Sequence, residues 1–293
     1  GAVTALVTPM QNGAVDYEGL RRNIEFQIQE GISGILPLGT TGEAPTLSQA
    51  EQEKIIRLAV DQTKGRVPVM VGTGSNSTAH TIETTKKAKA LGADLALIVT
   101  PYYNKPTPEG IFRHFEAVSR AAALPIVVYN IQGRTGVNID TPTLKRISAL
   151  PNIVGVKEAS GNINQIGDVI HEIQEKSPDF SVLSGDDALT LPLMALGGRG
   201  VISVVSNLVP RAVGNLVSAA AQGDFVEARR LHYELLPLFK GAFMETNPIC
   251  IKAAMEMCGM PAGECRLPLC GMQPENKMRL KAILLEMGLI GHG

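Results

Sequence analysis

The chain has 293 residues, 27 lysines and arginines against 28 aspartates and glutamates, a formal net charge of −1 and 44% hydrophobic residues. This near-neutral balance, without clustered Lys/Arg or a basic amphipathic stretch, argues against nucleic acid and membrane as partners. Apolar runs such as 93–99 and 201–205, each interrupted by one polar residue, fall far short of the roughly 18 residues of a membrane span, and the first residues show no charged segment followed by an apolar one.

In chain order, short apolar and often β-branched runs alternate with amphipathic stretches. Strands at 3–7, 35–38, 67–71 and 93–100 lead into helical patterns at 16–30, 48–64, 77–91 and 107–122. Strands at 125–129, 153–157, 180–183 and 201–205 lead into patterns at 141–149, 162–176, 188–196 and 210–221. Ser48 followed by Glu51, and 106–109 with its proline and glutamate, are helix-start signatures.

Strands that are continuous hydrophobic runs are buried on both faces, and crossovers long enough for a helix make the sheet parallel. Eight such units predict an α/β fold of the (β/α)8 TIM-barrel type over 1–222, with a C-terminal helical extension over 223–293. The alternative is a doubly wound open sheet, against which stands the lack of a Gly-x-Gly-x-x-Gly turn after the first strand. Cys250, Cys258, Cys265 and Cys270 are spaced by 8, 7 and 5 residues with no Cys-x-x-Cys pair, which predicts free thiols in a reduced, cytoplasmic protein.

Barrel active sites lie at the C-terminal ends of the strands, which narrows the search to eight short windows. None contains a histidine: His80, His114, His171, His232 and His292 fall in or beside helices or at the tail, so a histidine-ligated metal is not expected. Asp186 and Asp187 are adjacent and point opposite ways on an extended chain, which favours a turn and helix cap over a metal pair. Gly72-Thr73-Gly74 fits a tight turn as well as a phosphate loop, and 197–200 precedes a strand, on the face away from the site.

Lys157 stands apart. A lysine ending an apolar barrel strand has its ammonium form disfavoured, and a neutral amine attacks carbonyls; the alternative is an ion-paired or snorkelling lysine. Tyr129 ends the neighbouring strand and supplies a phenol for proton transfer, unless it is simply a core tyrosine. Gly39-Thr40-Thr41-Gly42-Glu43 offers hydroxyls and amides for a small carboxylate, and Arg134 offers a two-pronged carboxylate clamp.

At these residues the chain resembles the pyruvate-dependent class I aldolases of the N-acetylneuraminate lyase and dihydrodipicolinate synthase family, the synthase branch most closely. The markers run through the whole chain: 39–43, 100–104, Tyr129-Asn130, 133–136, 156–159, 184–187 and 245–248. The resemblance implies condensation of pyruvate with L-aspartate 4-semialdehyde to 4-hydroxy-tetrahydrodipicolinate, in lysine and diaminopimelate biosynthesis. It implies an imine on Lys157, a proton relay of Tyr129, Thr40 and Tyr103, and no other cofactor or metal. Tyr103 would serve a neighbouring subunit, within a homotetramer built as a dimer of dimers. Thr41, Gly185 and Ile202 would line the pyruvate pocket, and Arg134 would receive the semialdehyde carboxylate. Gln132 replaces the family's proline before Gly-Arg-Thr-Gly, and the loss of a fixed φ predicts a looser loop.

A regulatory lysine site in such relatives corresponds to Ala44, Pro45, Gln49, Gln52, Asn76, His80 and Tyr102. Gln49 and Gln52 replace histidines and His80 replaces a glutamate, so feedback inhibition by L-lysine is expected to be weak or absent. Within the family the competing activity is cleavage of N-acetylneuraminate or a 2-keto-3-deoxy-sugar acid. Outside enzymology it is a non-catalytic small-molecule sensor.

Overall fold

A computed structural model describes residues 1–291 of the chain. Eight parallel strands form the sheet: β1 (Ala2–Ala5), β2 (Gly34–Leu36), β3 (Met70–Gly72), β4 (Leu95–Val99), β5 (Ile126–Asn130), β6 (Ile153–Glu158), β7 (Ser181–Ser184) and β8 (Val201–Ser203). β1 pairs with both β8 and β2, and a single parallel bridge from Ile35 to Val69 closes the ring between β2 and β3. The open-sheet alternative is thereby excluded. Ala5, Leu36, Met70, Leu97, Val127 and Ile202 fill the barrel with Tyr129 among them.

The helices are α1 (Tyr17–Gln29), α2 (Gln49–Thr63), α3 (Thr78–Ala90), α4 (Pro108–Ala121), α5 (Thr141–Ser148), α6 (Ile163–Val169), α7 (Thr190–Ala195) and α8 (Pro210–Ala221). Their starts follow capping chemistry. Ser48 and Glu51 exchange hydrogen bonds at the head of α2, and Thr107 caps α4 with Pro108 in its first turn. The C-terminal segment adds α9 (Phe225–Gly241), α10 (Ile249–Met257) and α11 (Pro274–Glu286), whose Leu235, Ile251, Met255, Leu280 and Leu284 join the outer core.

Several elements are shorter than their apolar runs. The strand expected at 201–205 ends at Ser203, because the Asp187 carboxylate accepts from the amides of Val204 (2.9 Å) and Val205 (3.3 Å) and draws them out of the ladder. The helix expected at 188–196 opens as a 3-10 turn, Asp187–Leu189, before α7. The pattern at 162–176 continues past α6 as a π turn, Ile170–Gln174. There Gln174 faces inward, accepting from Val182 N (2.9 Å) and donating to the Gly197 carbonyl (2.7 Å). Unexpected from the pattern is a hairpin of Met10–Gln11 and Ala14–Val15, turned by Asn12 and Gly13 at φ 53° and 78°.

Candidate active site

β5 and β6 set the chemistry by register. Tyr129 pairs with Lys157, and Lys157 pairs in turn with Leu183 of β7. Alternation along a strand sends both side chains to the same face, and the Lys157 Nζ lies 4.3 Å from the centre of the Tyr129 ring. Lys157 is only 5% exposed. Burial lowers its pKa to about 7; the Asp187 charge opposes the shift and Arg134 reinforces it. A large fraction of the amine is therefore unprotonated near neutrality. Gly185 leaves room for the lysine stem, since a Cβ there would sit 3.1 Å from both Lys157 Cγ and Cε.

Tyr129 responds in the other direction. Burial pushes its phenol up to about 12, partly offset by Arg134 and by hydrogen bonding with Thr40, so it holds its proton. Thr40 and Thr41 stand on the turn after β2. There Gly42 N donates to the Gly39 carbonyl and Glu43 N to the Thr40 carbonyl, both at 3.1 Å. Ile202 is fully buried in the inner layer of the barrel.

Asn247 is a residue to which sequence reasoning gave no role. Its Nδ2 donates to Thr41 Oγ1 (3.0 Å), and its backbone carbonyl accepts from an Arg134 guanidinium nitrogen (3.1 Å). Its Oδ1 is buried and has no partner among the described residues. An unpaired buried acceptor is costly. Thr40, Tyr129, Ile131, Arg134, Thr246 and Asn247 all line one cavity of about 320 Å³. Arg134 rides on a single helical turn, Gln132–Thr135, closed by Thr135 N and Oγ1 donating to the Ile131 carbonyl (3.0 and 2.9 Å). The turn is thus closed by its own hydrogen bonds, without a proline at 132.

Tyr103 does not join this group. It is 89% exposed, at φ 71°, on the loop after β4, and it does not line the cavity. A second cavity of about 410 Å³ lies beside the first and shares Leu38, Ala44, Pro45, Gly72, Gly74 and Tyr102 with it. Gln49, Gln52 and His80 also line it, whereas Asn76 is not in its wall and accepts from Asn104 Nδ2 through its carbonyl (2.9 Å). Gly72 and Gly74 are packing glycines: a Cβ at Gly72 would fall 2.0 Å from the Leu38 carbonyl oxygen, and one at Gly74 2.5 Å from Val99 N.

The two aspartates part company. Asp186 caps the 3-10 turn by accepting from Ala188 N (2.9 Å). Asp187 is fully enclosed, accepts from Ser203 Oγ (2.5 Å), and has its pKa raised to about 6 by burial against the pull of those hydrogen bonds. Among the described residues no group of three or more His, Cys, Asp or Glu is placed to hold a metal ion. Cys250, Cys258, Cys265 and Cys270 are free. His80, His114, His171 and His232 lie on helices away from Lys157, and His292 falls outside the described residues.

The model of the dihydrodipicolinate synthetase family matches residues 1–287. The chain belongs to this family. It is 56% identical to a 4-hydroxy-tetrahydrodipicolinate synthase of Protochlamydia amoebophila, over 100% of this chain and 99% of that protein. It is 50% identical to a protein of the same name from Methanocaldococcus jannaschii, over 99% of each. The crystal structure of dihydrodipicolinate synthase from Aquifex aeolicus superposes with a TM-score of 0.96 at 47% identity, covering 100% of this chain and 99% of that one. Family membership and fold thus agree with the resemblance carried by the strand-end motifs.

Proposed function

We propose that this chain condenses pyruvate with L-aspartate 4-semialdehyde to 4-hydroxy-tetrahydrodipicolinate, the step that feeds lysine and diaminopimelate biosynthesis. The observation that carries this reading is the buried Lys157 amine against the Tyr129 ring inside a barrel mouth. The neutral Nζ attacks the pyruvate ketone carbon, the carbinolamine loses water, and an imine to Lys157 remains. Tyr129, protonated at neutral pH, hands protons to and from the adduct with Thr40 as its hydroxyl partner.

Loss of a methyl proton gives an enamine, whose carbon attacks the aldehyde of the second substrate. The amine of that substrate then adds to the imine carbon and expels Lys157 as the ring closes. No cofactor is needed beyond this imine. Thr41, Gly185 and Ile202 form the pyruvate end. Arg134 binds the carboxylate of the semialdehyde, and Tyr103 completes the relay of a neighbouring subunit in a cytoplasmic homotetramer. No helix among the described residues is long and apolar enough to cross a membrane.

Arg134 is the feature that favours this reading over a sugar-acid lyase, which needs hydroxyl-binding groups where the guanidinium offers a carboxylate clamp. A substrate panel tests it. With pyruvate present, consumption of L-aspartate 4-semialdehyde is expected, with no cleavage of N-acetylneuraminate or 2-keto-3-deoxy-gluconate. Faster cleavage of either sugar acid than condensation would reassign the activity.

A further inference from the structure

At the edge of the first cavity, whose lining includes Glu43, one buried ion pair stands apart from the surface pairs among the described residues. Glu43 Oε1 and Lys252 Nζ are 2.7 Å apart, with side chains 0% and 2% exposed. The ammonium spends its donors on Glu43, the Thr8 carbonyl (3.2 Å) and the Glu264 carbonyl (2.5 Å). The other Glu43 oxygen accepts from Arg266 N at 2.9 Å. Glu43 closes the turn that holds Thr40 and Thr41, in the left-handed region at φ 54°. Lys252, Glu264 and Arg266 all belong to the C-terminal segment.

A desolvated ion pair stabilises a fold no better than well-packed apolar side chains of similar volume, so stability alone does not account for its presence. What it adds is direction: a charge-assisted contact fixes where the end of the turn lies. The same turn is tied at a second point by Asn247, through its bond to Thr41.

We infer that Glu43 and Lys252 are positioning residues that lock the 39–44 turn in its pyruvate-binding geometry, so that the C-terminal segment sets pyruvate affinity without touching pyruvate. On the reading that Thr40 and Thr41 serve pyruvate, loss of the pair weakens pyruvate capture more than it weakens the fold or the use of the second substrate.

The test uses the full chain carrying Glu43→Gln together with Lys252→Met, which removes both charges and strands neither. Borohydride trapping at varied pyruvate concentration reads imine formation, and thermal unfolding is followed alongside. The expected result is a pyruvate half-saturation raised at least tenfold, a second-substrate KM within threefold of wild type, and a nearly unchanged unfolding midpoint. A folded double variant with pyruvate half-saturation within twofold of wild type overturns the inference, as does an equal rise for both substrates.

Should the double variant not fold, hydrogen exchange on the wild-type protein decides. The amides of Gly42, Glu43 and Ala44 are expected to exchange as slowly as those of β2, and exchange at the rate of an open loop overturns the lock. Thr40→Val separates the two levels. If it loses turnover while the double variant is normal, only the lock fails. If both Thr40→Val and the double variant are fully active, the turn has no part in the reaction and the lock fails with the reading it rests on.

Discussion

At Lys157 the sequence presents an amine in an apolar strand, and the fold turns that into a group titrating near pH 7. Below that pH the ammonium form accumulates, so the rate of imine formation falls about tenfold per unit. Asp187→Asn removes the one opposing charge and is expected to move this acid limb lower still; stopped-flow or quench trapping across pH 5 to 9 reads both. The same shift affects stability. The unfolded chain keeps this proton up to its ordinary pKa of 10.5, while the folded chain releases it near 7, so stability rises with pH between those values. The span of the effect is about 5 kcal/mol. Lys157→Met should therefore abolish trapping, yet raise stability at pH 7 by about 3 kcal/mol, with a flatter dependence on pH. Denaturant unfolding at pH 7 and 10 checks it, and a destabilised variant would refute it. Arg134 yields a separate expectation: Arg134→Ala loses one charge-assisted contact of about 2 kcal/mol, raising the semialdehyde KM ten- to a hundredfold with pyruvate trapping intact. Lys157 and Tyr129 were legible in the sequence because each breaks or ends an apolar run. The role of Asn247 was not, since no local pattern says that its side chain crosses to Thr41, 206 residues away in sequence.

Among the elements, α2 and α3 bring Gln49, Gln52 and His80 to the wall of the second cavity. On the family resemblance, His80 stands where a relative's carboxylate would meet a lysine ammonium; of the two glutamates in the same wall, Glu53 is already paired with Lys87 Nζ at 2.8 Å and Glu83 lies one helical turn from His80. A missing charge partner of 2 to 5 kcal/mol corresponds to a factor of tens to thousands in affinity, by order of magnitude. L-lysine titrated at neutral pH is expected to leave activity unchanged below the millimolar range, whereas half-inhibition at submillimolar lysine would contradict this reading of the cavity. The eight strands were legible because a barrel strand is buried on both faces and reads as a continuous apolar run. Their ends were not: Leu38 leaves the sheet at φ 59°, and Asp187 captures the amides that would have extended β8. The Met10–Gln11 and Ala14–Val15 hairpin did carry a signal, an Asn-Gly pair, but two-residue strands are too short for alternation to show.

Over the whole molecule, the C-terminal segment does more than pack on the barrel. Its Asn247 and Lys252 reach Thr41 and Glu43 at the mouth, contacts that depend on chain return and leave no trace in spacing. The exposed Tyr103 has the opposite character, since it stands outside the cavity that Thr40 and Tyr129 line. If it completes a neighbour's relay, mixing inactive Tyr103→Phe with inactive Lys157→Ala protein restores part of the activity through hybrid dimers that contain one intact site. No recovery after verified subunit exchange would confine the relay to one chain. The reaction itself rests on one claim, that Lys157 is the residue which becomes covalently attached to pyruvate. Incubation with pyruvate and borohydride, followed by peptide mass spectrometry, tests it most directly. A single reduced pyruvate adduct is expected on the peptide containing Lys157, absent from Lys157→Ala; an adduct on another lysine, or none, would contradict the assignment.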